Sequence, residues 1–329
     1  MKLASLKEGG RDGCLVVVSE DLTRAARATG ISANLQTALE NWAAAEEPLR
    51  QLSDAVENGG AENLIDVETA DLASPLPRAF QFLDGSAYLV HVERVRRARG
   101  AEMPPSFLTD PLMYQAVSDG FHPPTGTIAV ESEDFGIDFE AEVCVITGDV
   151  PMGVSPAAAL EYVRLLCLVN DVSLRNLIPA ELGKGFGFMQ SKPRSALSPV
   201  AVTPDQLGEN WRDGKLHLPL TTHYNGALFG NPECGVDMQF DFGELIAHAA
   251  RTRPLAAGTI IGSGTIANKD ESRGSSCLAE RRMLEIIADG EAKTPFMRFG
   301  DTVRVEMLDA EGATIFGAIE HMISRYDPS

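Results

Sequence analysis

The stretch DFEAEVCV, residues 138–145, alternates acidic with apolar side chains. Successive side chains of a β-strand point to opposite faces, so this pattern predicts a strand with Glu140 and Glu142 on one face and apolar side chains on the other. The apolar face predicts that the strand packs on a core. For the acidic face, the spacing alone favours solvent exposure over a shared ligand, because charged residues on one strand face are usually exposed.

A third acidic residue changes the interpretation of this pair. Asp171, in the segment NDVSLR at 170–175, follows a run that we interpret as an apolar helix over 155–168. An acid at the end of such a run cannot stay buried and charged without a partner. With Glu140 and Glu142 it forms a set of hard oxygen ligands suited to Mg²⁺, Mn²⁺ or Ca²⁺. None of the six histidines has the spacing of a zinc motif, so zinc is not predicted.

The remaining sequence predicts the fold class and the domain organisation. Short β-like runs are separated by Gly, Pro and Asp, and helices interrupt them without a regular βα alternation, so we predict an α+β fold with a largely β core. Residues 1–75 are predicted to form a small N-terminal domain, with a hairpin followed by a helix over Ala33–Val56. The Pro-containing segment 73–77 is the predicted linker, and residues 76–329 are the predicted catalytic domain.

Composition narrows the class of partner. The chain of 329 residues is 44% hydrophobic and carries a formal net charge of −19, which disfavours nucleic acids and anionic membranes as partners. The five cysteines have no CxxC spacing and several lie in apolar stretches, as expected for reduced thiols in the cytoplasm. No apolar run reaches the roughly 18 residues of a membrane span. A cytoplasmic location without a membrane partner is therefore predicted.

Four motifs, in this order, resemble the fumarylacetoacetate hydrolase family. They are Glu-x-Glu on a strand, Asn-Asp-Val-Ser-x-Arg, a lysine upstream of Ser-Pro, and Gly-Ser-Gly-Thr, and the similarity runs from about Phe80 to Ile323. The resemblance implies a mixed β-sandwich roll, a small N-terminal domain and a homodimer. It also implies roles for residues at the matching positions: Glu140, Glu142 and Asp171 bind Mg²⁺ or a similar ion, Lys192 is catalytic, and Arg175, Gly264 and Thr265 bind substrate.

The resemblance also implies a general base. Many members of the family carry Tyr-x-x-His-x-x-Glu near the start of the domain, and this chain has Tyr88 and His91 in those positions. The glutamate departs from the pattern, because Glu93 falls two residues after His91 and Arg94 occupies the expected place. We predict His91 as the base, helped by Glu93. Without the motif, a surface or capping histidine would be the better interpretation.

The function implied is a metal-dependent hydrolase that cleaves a carbon–carbon bond in a 1,3-diketo acid, as fumarylacetoacetase and acylpyruvate hydrolases do in aromatic, tyrosine-type catabolism. The substrate would be a small oxo acid. Oxo-acid decarboxylases, hydratases and isomerases of the same family remain an alternative, because they share the cation and the enolate chemistry. A metal-bound binding protein without activity is a further alternative.

Overall fold

The computed structural model describes residues 1–67, 71–98, 100 and 102–328. Within this part of the chain, short strands predominate. Numbered along the chain they are β1 (Lys2–Leu6), β2 (Cys14–Val18), β3 (Arg24–Arg27), β4 (Ile65–Asp66), β5 (Leu72–Ala73), β6 (Phe82–Gly85), β7 (Met113–Ala116), β8 (Thr125–Val130), β9 (Ile137–Asp138), β10 (Ala141–Thr147), β11 (Val163–Asn170), β12 (Ser173–Leu174), β13 (Ala196–Leu197), β14 (Ala201–Val202), β15 (Trp211–Arg212), β16 (Lys215–Leu216), β17 (Thr221–Tyr224), β18 (Ala227–Gly230), β19 (Ile260–Gly262), β20 (Thr302–Glu306) and β21 (Ile319–Arg325).

Helices are fewer, and most are short. The α-helices are α1 (Leu35–Glu40), α2 (Trp42–Glu57), α3 (Leu89–Ala98), α4 (Pro156–Ala159), α5 (Ile178–Leu182), α6 (Phe242–Ala249) and α7 (Leu278–Asp289). Single 3₁₀ turns include Leu160–Tyr162 and Glu271–Arg273. No helix in the described ranges is long and apolar enough to cross a bilayer. The predicted α+β class with a largely β core is therefore confirmed.

The larger sheet takes its strands from between Lys2 and Gly262. Its strand order is β4-β3-β2-β1-β14-β11-β10-β19-β6-β7, with β13 and β5 paired at its side. Among its described strands, only β19 and β6 pair in parallel. The predicted N-terminal hairpin is present as β1 and β2. Because β1 also pairs with β14, the N-terminal unit and the rest of the chain share one sheet. The domain boundary at residues 75 and 76 stays a prediction.

The second sheet packs against one face of the larger sheet. Its order is β18-β17-β20-β21-β8, antiparallel except for the β21–β8 pair. Its inward side chains, among them Ile128, Val303 and Ile319, form one core with Val143 and Leu166 of the larger sheet. The opposite face of the larger sheet is covered by α1 and α2, through a separate core of buried side chains.

The central strands β10 and β11 are consequently buried on both faces. This explains why the predicted helix over 155–168 is wrong from Val163 onward, after α4 and the 3₁₀ turn Leu160–Tyr162. Its start is correct, since Ser155 Oγ accepts a hydrogen bond from the Ala158 amide at 3.4 Å. The following apolar run has no exposed face and therefore no period, so it resembles a buried helix in sequence although it forms β11.

Candidate active site

Three predicted ligands meet where β10 and β11 pair. Ala141 lies opposite Asn170 in this antiparallel pair, and the Asp171 amide donates to the Glu140 carbonyl at 2.9 Å. The register therefore places the ends of both strands, with their carboxylates, side by side. Glu142 and Asp171 are 0% exposed and Glu140 is 5% exposed. The solvent-exposed acidic face favoured by spacing alone is wrong, because both faces of this sheet are covered.

Asp84 adds a fourth carboxylate that the sequence did not predict. It lies near the end of β6, opposite Gly262 of β19, which in turn lies opposite Cys144 of β10. One ligand atom from each of Asp84, Glu140, Glu142 and Asp171 lies within 4.8 Å of the others. Glycine at 262 permits this approach, because a Cβ there would lie 2.3 Å from Asp84 Oδ1.

Burial and mutual repulsion make this cluster costly without a cation. Burial, and next the Asp171 charge, raises the pKa of Asp84 to about 7. Burial, and next Asp84, raises the pKa of Glu142 well above its usual range. Both Glu142 carboxylate oxygens are buried and have no hydrogen-bond partner among the described residues. Four converging carboxylates supply hard oxygen ligands, and one of these carboxylates makes no hydrogen bond within the described residues. Such a set fits a divalent cation such as Mg²⁺, Mn²⁺ or Ca²⁺.

Two basic side chains, Lys192 and Arg175, partly neutralise the acidic cluster. Lys192 Nζ lies 2.6 Å from Glu140 Oε2 and 2.5 Å from Asp171 Oδ2, and Arg175 Nη2 lies 2.5 Å from Glu140 Oε1. Burial lowers the pKa of Lys192, but the attraction of Asp171 and Glu140 outweighs it, so the lysine stays charged. Arg175 Nε also pairs with Asp138 Oδ2 at 2.8 Å. Lys192 and Arg175, both predicted from the sequence as site residues, therefore lie in the site, and each binds two carboxylates.

Asp171 also receives two hydroxyl hydrogen bonds. The Tyr114 hydroxyl donates to Oδ2 at 2.6 Å, and the Ser195 hydroxyl donates to Oδ1 at 2.5 Å. Burial, and next the Asp171 charge, raises the pKa of Tyr114 well above its usual range, so its hydroxyl remains a donor. These bonds fix the orientation of the Asp171 carboxylate before any cation binds.

The predicted base lies in the site, but its predicted helper does not. His91 Nδ1 lies 3.8 Å from Oε1 of Glu280, a buried residue in the first turn of α7. The same Glu280 oxygen accepts a 2.8 Å hydrogen bond from Arg94. Glu93 is exposed on α3 and does not line the cavity at the site. The carboxylate that faces the imidazole thus comes from Glu280, some 190 residues further along the chain.

The predicted glycine loop forms another wall. Gly264 has φ +77°, and a Cβ there would lie 2.3 Å from the Gly85 carbonyl oxygen, so the position requires glycine. Its amide donates to Asp84 Oδ1 at 3.2 Å. Thr265 also lines the cavity. A cavity of about 160 Å³ results, lined by Asp84, Gly85, Ser86, Tyr88, His91, Tyr114, Glu140, Arg175, Ile178, Phe188, Lys192, Gly264 and Thr265.

Three contributors were missed by the sequence analysis: Asp84, Ser195 and Glu280. Asp84 offered one usable signal, because an acid that directly follows an apolar run needs a partner if it is buried. Glu280 offered none, since a glutamate in the first turn of a helix is ordinary. Its role follows only from the folded geometry. The polar stretch 109–115 in the sequence could line a pocket or form a turn, and Tyr114 from this stretch does line the cavity.

Two models of protein families together match almost the entire chain. A model described as fumarylacetoacetate (FAA) hydrolase C-terminal matches residues 81–324, and one described as fumarylacetoacetase N-terminal domain 2 matches residues 1–78. Among curated relatives, 2,4-didehydro-3-deoxy-L-rhamnonate hydrolase from Sphingomonas sp. (strain SKA58) is 27% identical over 231 residues. This match covers 67% of the present chain and 77% of the relative.

Solved structures show the same fold. Fumarylacetoacetate hydrolase from Exiguobacterium antarcticum superposes with a TM-score of 0.65 at 17% identity, covering 99% of this chain and 100% of that one. 5-Carboxymethyl-2-hydroxymuconate delta-isomerase from Mycobacterium smegmatis gives 0.62 at 18% identity, with 100% of both chains covered. Since the first family model alone spans more than half of the residues, the chain belongs to the fumarylacetoacetate hydrolase family, whose members are hydrolases or isomerases.

Proposed function

We propose that the protein is a metal-dependent hydrolase that cleaves a carbon–carbon bond in a 1,3-diketo acid. The observation that carries this proposal is Glu142, whose two buried and unpartnered oxygens converge with three other carboxylates beside an open cavity. A bound divalent cation supplies Lewis-acid polarisation and alignment of a chelating oxo acid. Glu140, Glu142, Asp171 and Asp84 would hold it, and Mg²⁺ is the expected ion.

The surrounding residues have the groups that hydrolysis needs. In the proposed reaction, His91 removes a proton from water, and the oxygen attacks the carbonyl carbon distal to the carboxylate. The bond between this carbon and the central carbon breaks, and its electron pair remains on the 2-oxo acid as an enolate. Lys192 stabilises the developing negative charge, and His91 returns the proton to the enolate carbon. The products are a carboxylic acid and a 2-oxo acid.

The carboxylate behind His91 favours hydrolysis over decarboxylation. Decarboxylation needs a cation and enolate stabilisation but no activated water, whereas hydrolysis needs a base. Glu280 lies 3.8 Å from His91 Nδ1, a distance that can shorten to a hydrogen bond when substrate binds. The named substrate of the Sphingomonas relative, 2,4-didehydro-3-deoxy-L-rhamnonate, has oxidised carbons on both sides of a deoxy carbon, which also supports a 1,3-diketo acid.

An activity panel tests the proposal. The Mg²⁺-loaded protein is incubated with acylpyruvates, fumarylacetoacetate, fumarylpyruvate and oxaloacetate, and loss of diketone absorbance is followed together with product identity. We expect cleavage of at least one diketo acid into a carboxylic acid and an oxo acid, which is a 2-oxo acid for the acylpyruvates and fumarylpyruvate and a 3-oxo acid for fumarylacetoacetate. We also expect at least a roughly 100-fold slower reaction in His91→Ala. Turnover of oxaloacetate alone would refute hydrolysis. No turnover of any oxo acid by the metal-loaded protein would favour a binding role.

Three further features belong to the same proposal. We propose a homodimer, a cytoplasmic location and a place in the catabolism of aromatic compounds, where ring cleavage produces diketo acids. Light scattering on the purified full chain tests the homodimer directly. A monomer with full activity would contradict it.

A further inference from the structure

A second group of metal-binding side chains lies next to the acidic cluster. One ligand atom from each of His91, Glu140 and Cys277 lies within 4.8 Å of the other two. His91 is on α3, Glu140 directly precedes β10, and Cys277 is the N-cap of α7, so the fold brings three distant segments together. Of these three residues, only Glu140 also belongs to the acidic cluster.

The chemistry of this group differs from that of the acidic cluster. Four carboxylates are hard ligands that suit Mg²⁺, whereas a thiolate and an imidazole select thiophilic cations such as Zn²⁺ or Cd²⁺. His91 Nδ1 is buried and has no hydrogen-bond partner among the described residues. The Glu280 carboxylate that faces this imidazole is 0% exposed, and its Oε2 lacks such a partner as well. Two unsatisfied buried polar groups at one place indicate that a ligand completes this region.

Glu140 can serve both groups at once. Its two carboxylate oxygens each have two lone pairs, and the salt bridges to Arg175 and Lys192 use one on each oxygen. One oxygen can therefore bind Mg²⁺ while the other binds a second cation. Two-metal sites in enzymes hold their ions about 3.5–4 Å apart, a separation that a shared carboxylate can span.

The charges permit a second divalent cation when Mg²⁺ is bound. Mg²⁺ and the two basic side chains of the site carry as many positive charges as the four carboxylates of the acidic cluster carry negative ones. The remaining carboxylates near Cys277 are those of Asp138 and Glu280, and Arg94 opposes them with one positive charge. A Cys277 thiolate adds a third negative charge, which a second divalent cation balances together with Arg94.

We propose that His91, Glu140 and Cys277 form an inhibitory site for a thiophilic divalent cation, Zn²⁺ in particular, beside the Mg²⁺ site. His91 and Glu140 line the cavity, so the cation enters there and reaches the fully buried Cys277 next to them. The S–H bond of Cys277 breaks as the bond between sulfur and metal forms, and the proton leaves to solvent. The Glu280 amide, in the first turn of α7, donates to this sulfur at 3.3 Å and stabilises the thiolate.

A cation bound at this group stops the proposed reaction. A neutral imidazole has one ring nitrogen that can accept a proton, and the metal occupies that nitrogen whichever of the two it is. His91 can then no longer remove a proton from water. This inhibition rests on the proposed function, whereas the binding of the cation does not.

Cd²⁺ tests the binding without requiring turnover, because its bond to a thiolate gives an ultraviolet charge-transfer band that its bonds to carboxylates do not give. The full chain is saturated with Mg²⁺, kept reduced with a phosphine and titrated with Cd²⁺, and Zn²⁺ is then added as a competitor. We expect a thiolate band that saturates with Cd²⁺ and that Zn²⁺ removes. Absence of the band overturns the inference.

Cys277→Ser assigns the band to this position. Serine is a favourable N-cap, so the start of α7 is kept while the soft ligand is lost. Loss of even an outer-shell partner typically costs about 10- to 100-fold in metal affinity, so this variant should lose the band and bind Cd²⁺ at least roughly 100-fold more weakly. The matched variant Cys14→Ser removes a buried thiol of the N-terminal hairpin and should keep the wild-type band and affinity.

A band that persists in Cys277→Ser, or that disappears in Cys14→Ser, overturns the site. If circular dichroism shows that Cys277→Ser does not fold, His91→Ala provides the second test. It removes the imidazole from the same group and should weaken Cd²⁺ binding at least roughly ten-fold. Unchanged affinity in the folded His91→Ala variant also overturns the site.

The diketone panel separates this inference from the proposed function. Zn²⁺ added to the Mg²⁺-saturated wild type should inhibit cleavage of a diketo acid. Cys277→Ser, measured against its own activity, should need at least a roughly 100-fold higher Zn²⁺ concentration for half inhibition. Equal sensitivity of both proteins overturns the inhibitory role and retains the hydrolase. A thiolate band that depends on Cys277, without turnover of any diketo acid, refutes the hydrolase and retains the metal site.

Discussion

Glu142→Gln tests the cation site, because it should change stability in opposite directions with and without metal. The glutamate is fully buried, neither of its oxygens has a hydrogen-bond partner among the described residues, and burial raises its pKa. At neutral pH the folded protein must therefore either desolvate a charge or bind a proton at this position. Glutamine has the same shape without the charge, and its amide can donate to Asp84. The metal-free variant should be more stable than the wild type.

The magnitudes follow from the environment of this side chain. A buried group without partners costs about 1–3 kcal/mol, and a chain of 329 residues gains roughly 1.5 °C in Tm per kcal/mol. The metal-free variant should thus melt about 1.5–4.5 °C higher. Cation at 100 times the wild-type Kd should stabilise the wild type by about 2.7 kcal/mol, or roughly 4 °C. A 100-fold loss of affinity leaves the variant less than about 0.5 kcal/mol of this gain.

Thermal unfolding with chelator, and then with increasing Mg²⁺ or Mn²⁺, measures both effects, and calorimetry gives the affinity. Glu291→Gln, an exposed glutamate, is the matched control and should behave as the wild type in both conditions. Because burial raises the pKa of Glu142, the stability gap between variant and wild type should narrow as the pH falls towards 4.5. A metal-free variant that melts lower than the wild type and keeps its metal response would refute the cation site.

Three other changes test the neighbouring groups. Glu280→Gln should lower kcat roughly 100-fold or more with unchanged metal affinity, whereas its control Glu93→Gln should change little; equal effects would contradict the role of Glu280. Lys192→Met should destabilise the metal-free protein by about 3–5 kcal/mol in urea unfolding, with part recovered by added cation, and no loss would contradict the buried ion pairs. Glu181 accepts hydrogen bonds from three backbone amides and the Ser191 hydroxyl, which outweigh burial and hold its pKa at about 2. These bonds therefore stabilise the fold fully above pH 4.5, the ordinary pKa of a glutamate, and this stabilisation is lost as the pH falls towards 2. Glu181→Gln should make Tm depend less on pH across that range. An unchanged dependence of Tm on pH would contradict the role of Glu181.

The alternation in residues 138–145 predicted the central strand correctly, because acidic and apolar side chains still alternate between the two faces of a strand when both faces are buried. Phe139, Ala141 and Val143 all enter the core shared with the second sheet. What alternation could not predict is the environment of the other face, because a pattern of acids and apolar residues is identical whether the acids meet water or a cation. Residues from other parts of the chain, among them Asp84, Tyr114 and Lys192, surround the acids and decide that question.

The run 163–170 shows the opposite limitation. It is apolar at nearly every position, so it has neither the period of a strand nor that of a helix, and its length suits both. Only pairing with β10 and β14 selects the strand. The misassigned helix still placed Asp171 correctly at the end of an apolar element, because a carboxylate at such an end needs a partner in either conformation.

The proposed base, His91, shows why a site assembled from distant segments cannot be predicted from motif spacing alone. A search along α3 for an acid near His91 finds Glu93, but two residues further along a helix a side chain points to a different side. The position three residues after His91 does share its face, and there Arg94 reaches Glu280 on α7. The arginine therefore does not replace the missing acid. It binds an acid from another helix, and Oε1 of this acid lies 3.8 Å from His91 Nδ1, so a carboxylate faces the imidazole although the local motif is broken.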